Sequence, residues 1–270
     1  MLFVCPKCKQ KLNILNGVAV CASGHSYDRS KKGYYNLLLA NKGGTHGDNK
    51  EMLIARRTFL DGGYYEPLAT AVARAVCEHT SRGGAVLDIG CGEGYYTDYV
   101  ERALRERDGL SRVSGFDISK DAAALVHRRN PNIECAVAGA YSMPVADGSV
   151  DTAVNMFAPL ALDEILRALK PRGTFIMAIP AENHLFALKS VLYDTPYKNE
   201  VADTHIDGFE LASDTPISYV INVDSAERVR SLFGMTPYAY RTGRVGRERV
   251  EALGALMTEV DFRLFVYKKL

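Results

Sequence analysis

Ten residues, Val86-Leu87-Asp88-Ile89-Gly90-Cys91-Gly92-Glu93-Gly94-Tyr95, constrain this chain more than any other stretch. An apolar run short enough to be a buried strand turns through three glycines into a helical pattern. In α/β proteins this unit presents backbone N–H groups and a helix N-terminus to a nucleotide-like ligand. The glycines fall as G-x-G-x-G, with an acid, Asp88, already on the strand. A dinucleotide site has G-x-G-x-x-G and must leave room for a pyrophosphate. The present turn better suits a ligand with a ribose and a zwitterionic tail, and S-adenosylmethionine (SAM) is the candidate. Asp88, Gly90, Gly92 and Gly94 are read accordingly as cofactor-binding residues.

The surrounding pattern is that of a doubly wound α/β sheet. Helices are expected over residues 50–60, ended by Asp61-Gly62-Gly63, and over 65–79. After Gly94 a helix over 95–107 precedes a strand, 112–116, that ends in Asp117. A helix over 120–129, strands over 133–138 and 151–156, a helix over 163–169 and a strand over 174–179 follow. Ligands in such sheets bind beyond the strand C-termini, at the topological switch point. Asp117 lies twenty-three residues after Gly94, where a carboxylate can accept from both ribose hydroxyls. An NAD site would place an acid similarly, so Asp117 does not choose the cofactor by itself. The acid on the first strand, the position of the third glycine and the phrase Asn155-Met156-Phe157-Ala158-Pro159 together favour SAM.

Ahead of this domain stands Cys5-Pro6-Lys7-Cys8, then twelve residues, then Cys21-Ala22-Ser23-Gly24-His25, giving C-x2-C-x12-C-x3-H. Three thiolates and one imidazole close a tetrahedral shell with no open position, which is a structural zinc site at Cys5, Cys8, Cys21 and His25. Between the pairs, Asn16-Gly17 flanked by apolar residues predicts a β-hairpin. No helix falls where a DNA-reading ββα finger would need one. Some thirty residues cannot build a core alone, so the metal would supply the folding energy. Tyr27, Asp28, Arg29, Lys31, Lys32, Tyr34 and Tyr35 follow, either a surface for phosphates and unpaired bases or a solvated basic face. Residues 41–49 (NKGGTHGDN) form a polar, glycine-rich loop expected to be mobile.

The balance of 33 Lys and Arg against 32 Asp and Glu gives a net charge of +1, which argues neither for nor against nucleic acid. No apolar stretch reaches the length of a membrane span, and the N-terminus carries no signal-peptide pattern. With three of six cysteines in a metal pattern, a cytoplasmic protein is the economical expectation. The organisation expected is a zinc-binding module at 1–37, a linker and helices at 38–80, and a SAM-binding α/β domain at 81–270.

With these phrases assembled, the sequence resembles the bacterial 23S ribosomal RNA (guanine-N1)-methyltransferases, class I SAM enzymes with an N-terminal zinc domain. The matching phrases are CPKC…CASGHSYDRSKKGYYNLL, ARRTFLDGGYYEPL, VLDIGCGEGYYT, FDISK, FAP and ALKSVLYDTP. The resemblance implies a Rossmann-like class I sheet carrying a small zinc-binding β-hairpin module. It implies zinc at the four ligands named, and SAM contacts from Tyr65, Gly92, Glu93 and His184. It further implies 23S rRNA as partner, neither DNA nor membrane, and a homodimer with a shared RNA cleft. The competing readings are a methyltransferase for a small molecule, with the zinc knot as a lid, and a SAM-binding RNA module without turnover. After about residue 200 no family-specific phrase is found.

Methylation of guanine N1 needs in-line alignment and removal of the N1 proton. Alignment is worth about 7–11 kcal/mol, whereas a general base adds about 10²–10⁴-fold. Positioning is therefore expected to dominate. Asn155 is the catalytic candidate, with Asp163 or Glu164 as base. A guanine held in a pair is inaccessible, so the target is expected in a loop or flipped out.

Overall fold

The computed structural model describes residues 1–39, 49–200 and 203–270; of the loop expected over 41–49, only Asn49 is among them. Strands β1 (Asn13–Leu15) and β2 (Val18–Val20) form the expected hairpin, with Asn16 and Gly17 both at positive φ as a tight two-residue turn requires. β3 (Ser26–Asp28) adds to β2, and β4 (Tyr34–Asn36) leaves this small sheet for the main one. Helix α1 (Lys50–Leu60) is capped by the Asn49 side chain, which accepts from the Met52 N–H at 2.9 Å. Helix α2 (Glu66–His79) starts with a proline in its first turn.

Strand β5 (Ala85–Ile89) is buried at all five positions, and α3 (Tyr95–Arg107) starts immediately after Gly94. Then follow β6 (Arg112–Asp117), α4 (Lys120–Arg129), β7 (Glu134–Val137), β8 (Val150–Met156), α5 (Leu162–Ala168), β9 (Leu169–Pro180) and α6 (Phe186–Leu192). The region without sequence signal supplies β10 (Phe209–Val223), α7 (Ala226–Gly234), α8 (Tyr238–Arg241), α9 (Arg244–Glu251) and β11 (Leu256–Lys269).

Among the described residues the main sheet runs β10-β11-β9-β8-β5-β6-β7-β4. The strands from β9 to β4 pair in parallel, and β11 runs antiparallel to both neighbours. This is the expected doubly wound, Rossmann-like sheet. The chain winds outward from β5 through β6 and β7, then returns to β8 on the other side of β5. The switch point therefore opens between the C-terminal ends of β5 and β8, where a ligand belongs.

Two large buried clusters flank the sheet. One joins Phe59 of α1, Leu68 and Val72 of α2 and Leu104 of α3 to Val260 and Phe262 of β11. The other joins Phe3, Leu12, Tyr35 and Leu37 to Leu87 and Phe175 of the main sheet. The cysteine-rich segment thus shares the sheet's core rather than owning one, as its size dictates. Phe3 bridges to Val145, and the Val4 N–H donates to the Pro144 carbonyl at 2.7 Å. Helices α1 and α2, which fall in the 38–80 segment drawn from sequence, are part of the main core for the same reason: their apolar faces have no other surface to cover.

Candidate functional site

Cys5, Cys8, Cys21 and His25 converge, with all four ligand atoms within 4.8 Å of one another. The Sγ atoms of Cys8 and Cys21 lie 3.6 Å apart, and His25 Nδ1 is 3.5 Å from the Sγ of both Cys5 and Cys21. A tetrahedron with metal–sulfur distances of about 2.3 Å and metal–nitrogen of about 2.0–2.1 Å has edges of about 3.8 Å and 3.5–3.6 Å. Donor types and spacing both fit Zn²⁺. The Tyr27 hydroxyl sits 3.2 Å from Cys5 Sγ, an outer contact that orients the thiolate. The aromatic residues behind the knot are not a free stacking surface: Tyr35 is buried, and Tyr27 and Tyr34 are half-buried. Lys7, Lys9, Lys11, Arg29, Lys31 and Lys32 are exposed.

A cavity of about 1150 Å³ opens at the switch point. It is lined by the β5 turn with Asp88, by Asp117 at the end of β6, by Asn155 at the end of β8, and by Tyr65 and His184. Pro6 and Leu37 from the metal-binding segment line it as well, so both parts of the chain wall one space.

Gly90 (φ 70°) and Gly94 (φ 86°) take left-handed conformations that other residues avoid. A Cβ on Gly90 would come within 2.5 Å of the Ala158 Cβ, so the turn after β8 seats directly on the glycine loop. The Gly92 N–H donates to Asp117 Oδ2 at 3.0 Å, and the Ser119 N–H donates to Oδ1 at 2.8 Å. These bonds fix the carboxylate while leaving it further acceptor capacity. Asp88 is buried; the Thr97 hydroxyl donates to Oδ2 at 2.5 Å, and Oδ1 has no partner among the described residues. Burial pushes this carboxyl up to about 7, against the Thr97 hydrogen bond and with the charge of Asp117 adding to the rise. An unpaired buried carboxylate oxygen facing a cavity suits a cationic group.

The other sequence candidates have specific partners. Arg129 donates to both Glu93 oxygens at 2.8 Å, so this buried side chain, which lines the cavity, is held in an ion pair. His184 is buried; the Asp261 N–H donates to its Nδ1 at 3.3 Å, which places the ring hydrogen on Nε2, 3.3 Å from the Tyr65 hydroxyl. Tyr65 accepts there and keeps its own O–H to donate. Burial, aided by the Lys189 charge, holds His184 neutral by pushing its pKa down to about 3. Asn155 is buried with both ends of its amide engaged: Oδ1 accepts from the Ala158 N–H at 3.0 Å, and Nδ2 donates to the Pro159 carbonyl at 3.3 Å. It braces the turn after β8 while lining the cavity. Glu164 is paired with Arg167 and accepts from the Met143 N–H, while Asp163 is exposed, and neither lines the cavity.

Thr97 and Arg129 escaped the sequence reading. Thr97 carries a legible signal, since it stands in the first helical turn after Gly94, on the side facing Asp88. Arg129 does not, because its partner Glu93 is 36 residues away in sequence.

A family model described as "Methyltransferase domain" matches residues 86–173, and one described as "RlmA, N-terminal" matches residues 3–43. Over 261 residues the chain is 33% identical to "Putative 23S rRNA (guanine-N(1)-)-methyltransferase" of Micromonospora griseorubida, covering 88% of this chain and 86% of the relative. Over 191 residues it is 33% identical to "23S rRNA (guanine(748)-N(1))-methyltransferase" of Streptomyces fradiae, covering 70% of this chain and 66% of the relative. In fold it is similar to the solved structure of a "Putative Type II Methyltransferase" from Anaeromyxobacter dehalogenans. That likeness has a TM-score of 0.53 at 18% identity and covers 74% of this chain and 95% of the other.

Proposed function

Since this chain belongs to the family of 23S rRNA (guanine-N1)-methyltransferases, we propose that it transfers a methyl group from SAM to N1 of a guanine in a hairpin loop of 23S rRNA. One observation carries the reading. The cavity at the switch point is walled both by the glycine turn with its two acids and by Pro6 and Leu37 of the zinc-binding segment. A cofactor site and a nucleic-acid module that meet in one space are what transfer to RNA requires.

The residues present fit both groups. The unpaired Asp88 Oδ1 suits the ammonium of the amino-acid tail, the fixed Asp117 carboxylate suits the ribose diol, and the Tyr65 O–H suits the tail carboxylate. Gly90, Gly92 and Gly94 leave the backbone free to approach, with Glu93 holding the loop through Arg129. Cys5, Cys8, Cys21 and His25 hold the structural zinc. Bound SAM supplies an electrophilic methyl on a sulfonium. The chain's part is to align guanine N1 with that carbon so that the N–C bond forms as the C–S bond breaks, with the N1 proton released. Asp88, Glu93, Asp117 and His184 are each committed elsewhere, so alignment supplies most of the rate. Asn155 contributes by bracing the turn after β8.

In the division of labour proposed, residues 1–37 grip the RNA through the exposed lysines, residues 38–80 link and buttress, and residues 81–270 do the chemistry. RNA rather than DNA is the partner, the compartment is the cytoplasm, and two copies share one RNA cleft. Among the described residues no helix is long and apolar enough to cross a membrane. Transfer of labelled methyl to naked 23S rRNA, followed by mapping of the modified base, tests the reading. Label on a small molecule but not on RNA, or no transfer at all, refutes it.

A further inference from the structure

The turn that follows β8 holds an aromatic ring where a soluble protein has reason to hide one. Phe157 is 48% exposed, yet its backbone sits at φ 64°, a left-handed conformation that residues with a Cβ avoid. Relaxing that dihedral would remove the strain, but the Asn155 amide clamps the turn through Ala158 and Pro159. The ring is backed by Phe262 at 5.3 Å and Tyr96 at 6.1 Å and lines the cavity. A strained backbone kept in place to present an apolar face at a cavity is a functional arrangement.

The strand order says what the face meets. Asp117 ends β6, the glycine turn ends β5 and Phe157 follows β8, in the order β8-β5-β6. With strands about 4.8 Å apart, the β8 end lies roughly 10 Å from the β6 end. A nucleoside held by Asp117 therefore leaves the β8 side, beyond the Gly90 turn, for the second substrate. Resting on the rRNA reading above, we propose that Phe157 is the platform on which the target guanine stacks, and that Asn155 is a positioning residue that aims it. Stacking on a π face also answers how a base is held flat for in-line attack once it has left its own helix.

The test uses the full chain, SAM and a 23S rRNA hairpin. Phe157→Leu keeps apolar bulk and removes the aromatic face. It is expected to slow single-turnover methylation by about 5- to 150-fold, the range for loss of one base–aromatic stack, with SAM affinity unchanged. Phe157→Tyr is expected to stay within about threefold of wild type. Because the chain has no tryptophan, Phe157→Trp installs a lone reporter. With S-adenosylhomocysteine saturating, RNA carrying the target guanine is expected to quench its emission, and RNA abasic at that position is not. Asn155→Ala is expected to lower the rate and, combined with Phe157→Leu, to add nothing further, because both act through one ring. Equal quenching by the two RNAs, a Phe157→Leu rate within twofold of wild type, or a fall in SAM affinity that accounts for the lost rate would overturn the proposal. If wild-type protein transfers no methyl to 23S rRNA, it is the functional reading that fails.

Discussion

Substituting Asp88 by Asn is expected to make the cofactor-free protein relatively more stable as the pH rises, while costing it its cofactor. Burial raises the Asp88 carboxyl from its ordinary 3.8 to about 7. The folded state therefore binds more protons than the unfolded state between those values, and stability falls as pH increases through that window. With these two pKa values the penalty is about 2 kcal/mol at pH 5 and about 4 kcal/mol at pH 8. Asp88→Asn keeps an acceptor for Thr97 and abolishes the titration. The stability difference between variant and wild type is thus expected to shift in the variant's favour by roughly 2–3 kcal/mol from pH 5 to pH 8. For a chain of this size that corresponds to roughly 5–10 °C in Tm. Differential scanning calorimetry without cofactor at the two pH values reads it directly. Saturating SAM is expected to raise Tm in wild type and much less in the variant, because only the carboxylate can pair with the ammonium. A Tm difference that does not change with pH would refute the reasoning, whatever its sign.

Other substitutions separate the parts of the site. Cys8→Ser is expected to abolish stoichiometric zinc in elemental analysis and to weaken RNA binding; normal zinc content and RNA affinity would sink the ligand assignment. Glu93→Gln keeps an acceptor for Arg129 but leaves Asp61 as its one carboxylate partner among the described residues, and is expected to cost about 1–2 kcal/mol, the order of a charge-assisted hydrogen bond, read as a Tm lower by roughly 2–8 °C. A chemical-denaturation midpoint at the wild-type value would show the pair to be idle. Because His184 is pushed down to about 3, its neutral ring's contribution to stability is complete above the ordinary value of 6.5 and lost as the pH falls towards 3. An NMR titration of the ring is expected to show no inflection between pH 5.5 and 8; one near 6.5 would contradict the buried, neutral assignment.

Much of this architecture is legible because its signals are local. The helix over 95–107 follows from a glycine turn, and the zinc quartet from ligand spacing over 21 residues. Both depend on neighbours in sequence. The roles of Glu93 and Asn155 were harder to read, because each is decided by a partner or a turn geometry that composition does not reveal. Asn155 stands at a strand end where catalytic groups gather, yet its amide closes on the two residues that follow Phe157. The strand β11 is a different case. Leu256, Thr258, Val260, Phe262 and Leu264 are buried in strict alternation, a period-2 signal present in the sequence but attached to no motif. Its partner β10 alternates poorly and contains Pro216, as an edge strand tolerates.

The least legible feature is the union of the two modules, and it bears most on function. Cysteine spacing suggests an independent knot, but a segment of this size has too little apolar surface to stand alone. It resolves that deficit by lending Phe3, Leu12, Tyr35 and Leu37 to the core beneath the sheet and β4 to the sheet's edge. Structural zinc contributes on the order of 10–16 kcal/mol when it folds a small domain; Pro6, which stands between the ligands Cys5 and Cys8, lines the cavity wall, whereas Leu37 beside it is held by the main sheet through its N–H to the Val137 carbonyl. Loss of the metal should therefore be felt at the cofactor as well as at the RNA. A purely RNA-gripping knot predicts that chelated protein binds SAM normally. A shared wall predicts weaker SAM binding even with no RNA present, and calorimetric titration of SAM into zinc-loaded and chelated protein decides between them.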